Sequence, residues 1–181
     1  VLVQPDGTIV VAGNLSDGFG AMRLNPDGSP DASFGGSDGR VGVTIPAGAD
    51  AEAVALQPDG KLVLVGETKG ASRDMVIVRI GSNGELDPGF DGDGIRLLDL
   101  GGDDAAMAVL VQADGKLLVA GAGNGDLALV RLGPDGSLDP SFAGDGTLTR
   151  NLGGIDVANA AALLASGKVV LAAATRIGTS S

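Results

Sequence analysis

Short apolar runs, broken by clusters of Gly, Asp, Asn and Pro, recur along the whole chain. Their lengths and alternation are those of strands rather than helices. One stretch shows the pattern most clearly. Ala53 to Gln57 is a first strand, Lys61 to Gly66 a second, Asp74 to Ile80 a third and Gly94 to Leu100 a fourth. Asp59-Gly60 joins the first two, and this dipeptide is a strong tight-hairpin signal because glycine accepts the positive φ such turns need. Ser82-Asn83-Gly84 closes the third strand. Thr8 to Gly13, Lys116 to Gly121 and Lys168 to Ala173 repeat the second strand. That strand is apolar almost throughout, as in Leu62-Val63-Leu64-Val65 and Leu117-Leu118-Val119-Ala120, which implies burial on both faces.

The pattern is periodic. Gln4-Pro5-Asp6-Gly7 returns as Gln57-Pro58-Asp59-Gly60 and Gln112-Ala113-Asp114-Gly115, and fades to Leu164-Ala165-Ser166-Gly167, with spacings of 53, 55 and 52 residues. A second landmark ends in Phe34, Phe90 and Phe142, and a third is Asp38-Gly39, Asp93-Gly94 and Asp145-Gly146. Tandem antiparallel strands with tight turns predict an all-β fold of β-propeller blades, each a four-stranded antiparallel sheet. Three full blades (1–52, 53–107 and 108–159) and a partial fourth (160–181, its first two strands) are expected, at about 53 residues per repeat. A parallel β-helix has much shorter rungs without hairpins, and a β-sandwich does not explain the repeat.

The repeated slots suggest what holds a blade together. Phe34, Phe90 and Phe142 are expected to plug the space between neighbouring blades. Arg23, Arg79 and Arg131 share the spacing of Asp31, Asp87 and Asp139, so an Arg–Asp pair is expected in each blade, a partly buried Arg needing a carboxylate.

Composition removes several kinds of chemistry. With 12 basic and 23 acidic residues the formal charge is −11, which disfavours nucleic acid and anionic membrane surfaces as partners. The 181 residues include no Cys and no His, so thiolate chemistry and a histidine base are absent from the chain. No Trp or Tyr offers a stacking platform. No apolar run approaches the length of a membrane-spanning helix. Val1-Leu2-Val3 at the start, with no visible signal peptide, suggests a processed or truncated product.

The combined motifs resemble the delta-60 repeat family of bacterial proteins. The closest stretch is 108–146, with Gln112, Asp114, Gly115, Lys116, Ala120, Gly121, Arg131, Leu132, Asp135 to Asp139, Phe142 and Gly144 to Gly146 in place. Pro30 stands for the usual Leu, Ala113 for Pro, and the fourth copy lacks the Gln, the Asp and the terminal Gly. The resemblance implies propeller blades within large, often exported bacterial proteins, hence an extracellular or cell-surface location, and it implies no settled activity.

Propellers close with roughly four to eight blades. Further blades of the same polypeptide, or another copy of the chain, are therefore the expected partners, with the fragment reading preferred. Candidate binding residues are Asp50, Asp104 and Asp156, on the fourth-to-first strand connections. These share a face with the irregular loops Asn14 to Gly18, Glu67 to Arg73 and Ala122 to Gly125. Against them stands the plainer reading that each Asp caps a turn. Asp91-Gly92-Asp93-Gly94 with Asp87 resembles part of a calcium loop, but three carboxylates fall short of the six to eight oxygens calcium takes; turn chemistry is the favoured reading and no other cofactor is indicated. No catalytic residues are identified. The expected function is a non-catalytic binding or structural module whose ligand stays open. The alternatives are part of a propeller enzyme, a hydrolase or lyase with its catalytic residues elsewhere, and a self-assembling element.

Overall fold

Each Pro-Asp-Gly segment turns the chain through a short hairpin, and the strands on either side follow from it. In the turn Gln57 to Lys61, the Gly60 N–H donates to the Gln57 carbonyl at 3.0 Å and the Gln57 N–H to the Lys61 carbonyl at 2.8 Å. Gly60 sits at φ 83°, a left-handed conformation that favours glycine. The computed structural model describes residues 1–177. Four sheets succeed one another along the described chain, each an antiparallel meander in sequence order. The first holds β1 (Leu2–Val3), β2 (Ile9–Leu15), β3 (Gly18–Leu24) and β4 (Arg40–Thr44). The second holds β5 (Ala49–Leu56), β6 (Leu62–Thr68), β7 (Met75–Ile80) and β8 (Ile95–Leu98). The third holds β9 (Ala105–Val111), β10 (Leu117–Gly123), β11 (Asp126–Leu132) and β12 (Thr147–Arg150). The fourth contains β13 (Ile155–Leu163) and β14 (Val169–Arg176). These are propeller blades in an unclosed stack.

The core lies in the seams between sheets. Leu62, Leu64, Val76 and Val78 face the first sheet, where they meet Val10, Phe19, Phe34 and Val43. Val63, Val65, Met75 and Ile77 face the third, where they meet Val109, Leu117, Val119 and Val130. This explains the unbroken apolar run of the second strand: alternate side chains point to opposite faces, and both faces are covered. The third seam, built on Leu118, Ala120, Leu127 and Leu129, is smaller, because among the described residues only β13 and β14 lie beyond it.

Three strand boundaries and two loops differ from the sequence expectation. The divisions at 52/53, 107/108 and 159/160 fall inside β5, β9 and β13, which begin three to five residues earlier. The cause is a β-bulge in each of these strands, leaving Glu52, Met107 and Asn159 without a paired residue. Apolar alternation becomes regular only after the bulge, where the sequence pattern begins the strand. The loop expected at Ala122 to Gly125 shrinks to Asn124-Gly125, with φ of 50° and 80°, because Asn-Gly suits a two-residue hairpin. Asn14, Leu15 and Gly18 likewise belong to strands, leaving Ser16 and Asp17 as the turn.

The bulge has a steric requirement. A Cβ on Gly66 would strike the Asp50 carbonyl oxygen, and one on Gly121 the Ala105 carbonyl oxygen. Gly13, at the same slot of the first sheet, has open space around its Cβ position. Ala173 holds the slot in the two-stranded sheet, where no outer strands fix the separation of β13 and β14. Gly121→Ala should therefore destabilise the protein by about 2–3 kcal/mol through overpacking, while Gly13→Ala should stay within about 0.5 kcal/mol. Denaturant unfolding of the two variants checks this; equal effects would refute the close-approach explanation.

Candidate functional site

The repeated Arg, Asp and Phe meet at the same place in each of the three four-stranded sheets. Arg23 Nε lies 2.7 Å from Asp31 Oδ2, Arg79 Nε 2.7 Å from Asp87 Oδ2, and Arg131 Nε 2.8 Å from Asp139 Oδ2. Each guanidinium also lies over the phenyl ring of its own repeat, 4.7 Å from Phe34, 4.8 Å from Phe90 and 5.0 Å from Phe142. The arginine is thus held between a carboxylate and an aromatic face. It then reaches the next sheet: Arg23 Nη1 donates to the Ser82 carbonyl at 2.7 Å, and Arg79 Nη1 to the Pro134 carbonyl. Beside these, the Gly35 N–H donates to the Asn83 carbonyl at 2.9 Å and the Asp91 N–H to the Asp135 carbonyl at 2.8 Å. Lys61 and Lys116 bring a second cation to Asp87 and Asp139, each at 3.1 Å. Neither the stacking of Arg on Phe nor the reach to the following sheet was read from the sequence. The shared period of Arg and Phe was the available signal.

Asp50 and Asp156 belong to the beginnings of β5 and β13 rather than to the connections where they were expected, and Asp104 immediately precedes β9. Their carboxylates are largely occupied there. Asp104 is fully buried, with Oδ2 accepting from the Leu100 N–H at 2.5 Å and Oδ1 from the Asn124 N–H at 2.9 Å. Asp156, also fully buried, accepts from the Leu152 N–H at 2.6 Å. Asp50 accepts from Asn14 at 3.0 Å and pairs with Lys69 at 2.8 Å. Asp104 thus joins its own connection to the turn of the third sheet, Asp50 reaches back to Asn14 of the first sheet, and Asp156 Oδ1 is buried with no hydrogen-bond partner among the described residues.

The three bulge residues are the functional candidates that the sequence did not reveal. The first strands pack against one another, β5 on β9 and β9 on β13. A cavity of about 500 Å³ crosses them, and Glu52, Met107 and Asn159 all line it. Their neighbours in the strands are mostly small, including Ala51, Ala53, Ala106, Ala108, Ala158 and Ala160. Arg73 on the rim pairs with Glu67 at 2.8 Å and Asp103 at 3.4 Å. The Glu52 carboxyl is raised above its usual pKa, first by burial and then by Glu67 and Asp50. Carboxylate, thioether and amide thus occupy equivalent positions on one wall.

The calcium candidates do not converge. Asp87 is taken by Arg79 and Lys61, Asp91 pairs with Arg96 at 2.9 Å, and Asp93 caps the Ile95 N–H at 2.8 Å. Asp74, Asp99 and Asp104 come closer, with one oxygen from each within 4.8 Å of the others. Asp74 is raised in pKa, by burial and then by Asp99 and Asp104. In the third sheet the corresponding pair is Asp126 and Asn151, joined by a hydrogen bond of 2.6 Å.

Two outcomes test the arginine clamp. A double-mutant cycle of Arg79→Met and Asp87→Asn should give a coupling of about 1–3 kcal/mol, since both groups are mostly withdrawn from water; zero coupling would remove the pair. Asp31 is lowered from 3.8 to about 2, by hydrogen bonds from the Ser33 side chain and backbone and then by Arg23. A folded-state pKa below the unfolded one contributes stability that is present above pH 3.8 and lost as the pH falls towards 2. The melting temperature should drop across that window, and less so in Asp31→Asn.

The stretches carrying this clamp are also those that match a known family. The family described as a domain of unknown function (DUF5122) beta-propeller matches residues 4–34, 57–90 and 112–142, together more than half of the chain. Comparison with functionally curated proteins gives no match. Each matched stretch opens at the Gln of the first turn and closes at the clamp phenylalanine, Phe34, Phe90 or Phe142. With its turn, second strand, arginine and aromatic plug repeated three times, the chain belongs to the DUF5122 beta-propeller family.

Proposed function

We propose that the chain is a non-catalytic repeat module of an exported or surface-displayed bacterial protein, holding a ligand on the wall formed by its first strands. The observation that carries this reading is the division of labour between repeated and varied residues. The repeated arginines and aspartates of the clamp are occupied within the sheets and seams. The bulge residues Glu52, Met107 and Asn159 differ from repeat to repeat and still face one cavity of about 500 Å³. Variable side chains on a regular scaffold are the arrangement by which repeat proteins change ligands without changing fold. The resemblance to delta-60 repeats supports the bacterial, exported setting, and the acidic balance suits a solvent-exposed protein.

Catalysis has little to work with on this wall. Glu52 is the side chain best placed for acid–base work, by its raised pKa, but the carboxylate beside it, Glu67, is held by Arg73. Chromogenic esters, phosphoesters and glycosides should show no turnover with the purified chain that Glu52→Gln abolishes. Turnover lost in that variant, with its unfolding transition unchanged, would replace the module reading with an enzyme.

A further inference from the structure

Of the carboxylates that line the cavity on the first strands, Glu67 and Asp103 share Arg73, at 2.8 Å and 3.4 Å. Nearby, Asp50 is paired with Lys69 at 2.8 Å. Glu52 also lines the cavity, and among the described residues no cation pairs with it. Burial raises its pKa first, then Glu67 and Asp50, and no positive group opposes them. Arg176, the other cation along the lining, belongs to β14, two sheets away in the stack. Met107, Ala105, Ala122, Ile155 and Val157 make much of the remaining lining apolar, and Asn159 adds one amide. Glu52 stands in the second sheet and Met107 in the third. Both sheets are covered on either face, so the wall is complete where these two side chains lie.

Taking this wall as the ligand surface described above, we propose that it binds a primary aliphatic amine, its ammonium on Glu52 and its alkyl chain along Met107 and the alanines. One unpaired carboxylate in a partly apolar cleft, with Glu67 and Asp50 close by, concentrates negative potential at a single point. A metal ion fits poorly, because calcium takes roughly six to eight oxygens and Glu52 and Asn159 offer too few. A quaternary ammonium takes a cage of aromatic rings, and no aromatic side chain among the described residues lines this cavity. A primary ammonium is compact and strongly hydrated, with its donors on a flexible stem, so one carboxylate suffices for it. The methylenes of that stem are left to cover the thioether and the alanine surface. The volume of about 500 Å³ falls among small-ligand sites, which span roughly 300–1,000 Å³. The order of the bulge residues sets the direction. The ammonium lies at the second sheet, the chain crosses the third, and any polar end points towards Asn159.

The test labels the methionine methyl groups with carbon-13 and follows Met107 by NMR in the whole chain. Salt at about 0.15 M screens loose attraction to the acidic surface. The probes share one six-carbon chain: n-hexylammonium, hexan-1-ol and hexanoate. The ammonium should shift the Met107 signal and bind about tenfold more tightly than the alcohol or the acid. Glu52→Gln should remove that advantage. Met75 is fully buried in the core, so an unchanged Met75 signal in the variant reports an intact fold. The comparison of probes on the unaltered chain holds whether or not the variant folds. Equal binding of the three probes at Met107, or an ammonium advantage kept in a folded Glu52→Gln, would overturn the amine assignment and leave the ligand-bearing wall standing. No shift of Met107 with any probe would overturn both.

Discussion

The Arg79 guanidinium donates in more than one direction, and the stack of sheets depends on how those directions are divided. Nε is tied to Asp87 within the sheet, the flat face rests on Phe90, and Nη1 reaches a carbonyl of the next sheet. A guanidinium suits this place because its donors are fixed in one plane and its charge is delocalised, so it stacks on an aromatic ring without losing its carboxylate. Lysine could neutralise Asp87 but could not stack and bridge together. Without the arginine, the turn carbonyl of the following sheet would lose its charged donor at the rim of the seam.

The apolar seams supply most of the cohesion, while the clamp sets the spacing and angle at which they meet. A β-sheet with two apolar faces has no stable existence in water until both are covered. The second strands, such as Leu62–Thr68, therefore require a neighbour on each side, and repetition of one sheet type meets that requirement in the way solenoid-like arrays do. The fourth sheet shows the other side of this constraint. Among the described residues it has two strands, most of β14 is exposed and Phe142 is half-buried.

Repeated and varied residues occupy different parts of the sheets. At the clamp, Asp, Arg, Phe and Gly recur because each performs the same structural task in the three four-stranded sheets. On the inner wall the first strands crowd together, alanine dominates, and a bulge sets one larger side chain per repeat into the cavity. Those side chains carry no seam, so they are free to vary. The aspartates at the start of the first strands lie in between: Asp104 and Asp156 are fully buried, and each accepts from a backbone N–H of the segment before its strand.

Local chemistry made much of this fold legible from the chain alone. Asp-Gly turns, two-sided apolar strands and the shared spacing of Arg, Asp and Phe identify four-stranded units, because hairpin turns and strand alternation depend on neighbours within a few residues. The partner of Arg79 eight residues away at Asp87 was legible for the same reason. Its second partner, Pro134, lies 55 residues further on and in another sheet, so only packing could bring them together. The bulges at Glu52, Met107 and Asn159 were also decided in three dimensions. Nothing in the composition of an alanine-rich strand marks which residue is left unpaired; at Glu52 and Met107 that choice falls where a glycine on the adjacent strand, Gly66 or Gly121, lets a carbonyl approach too closely for any Cβ.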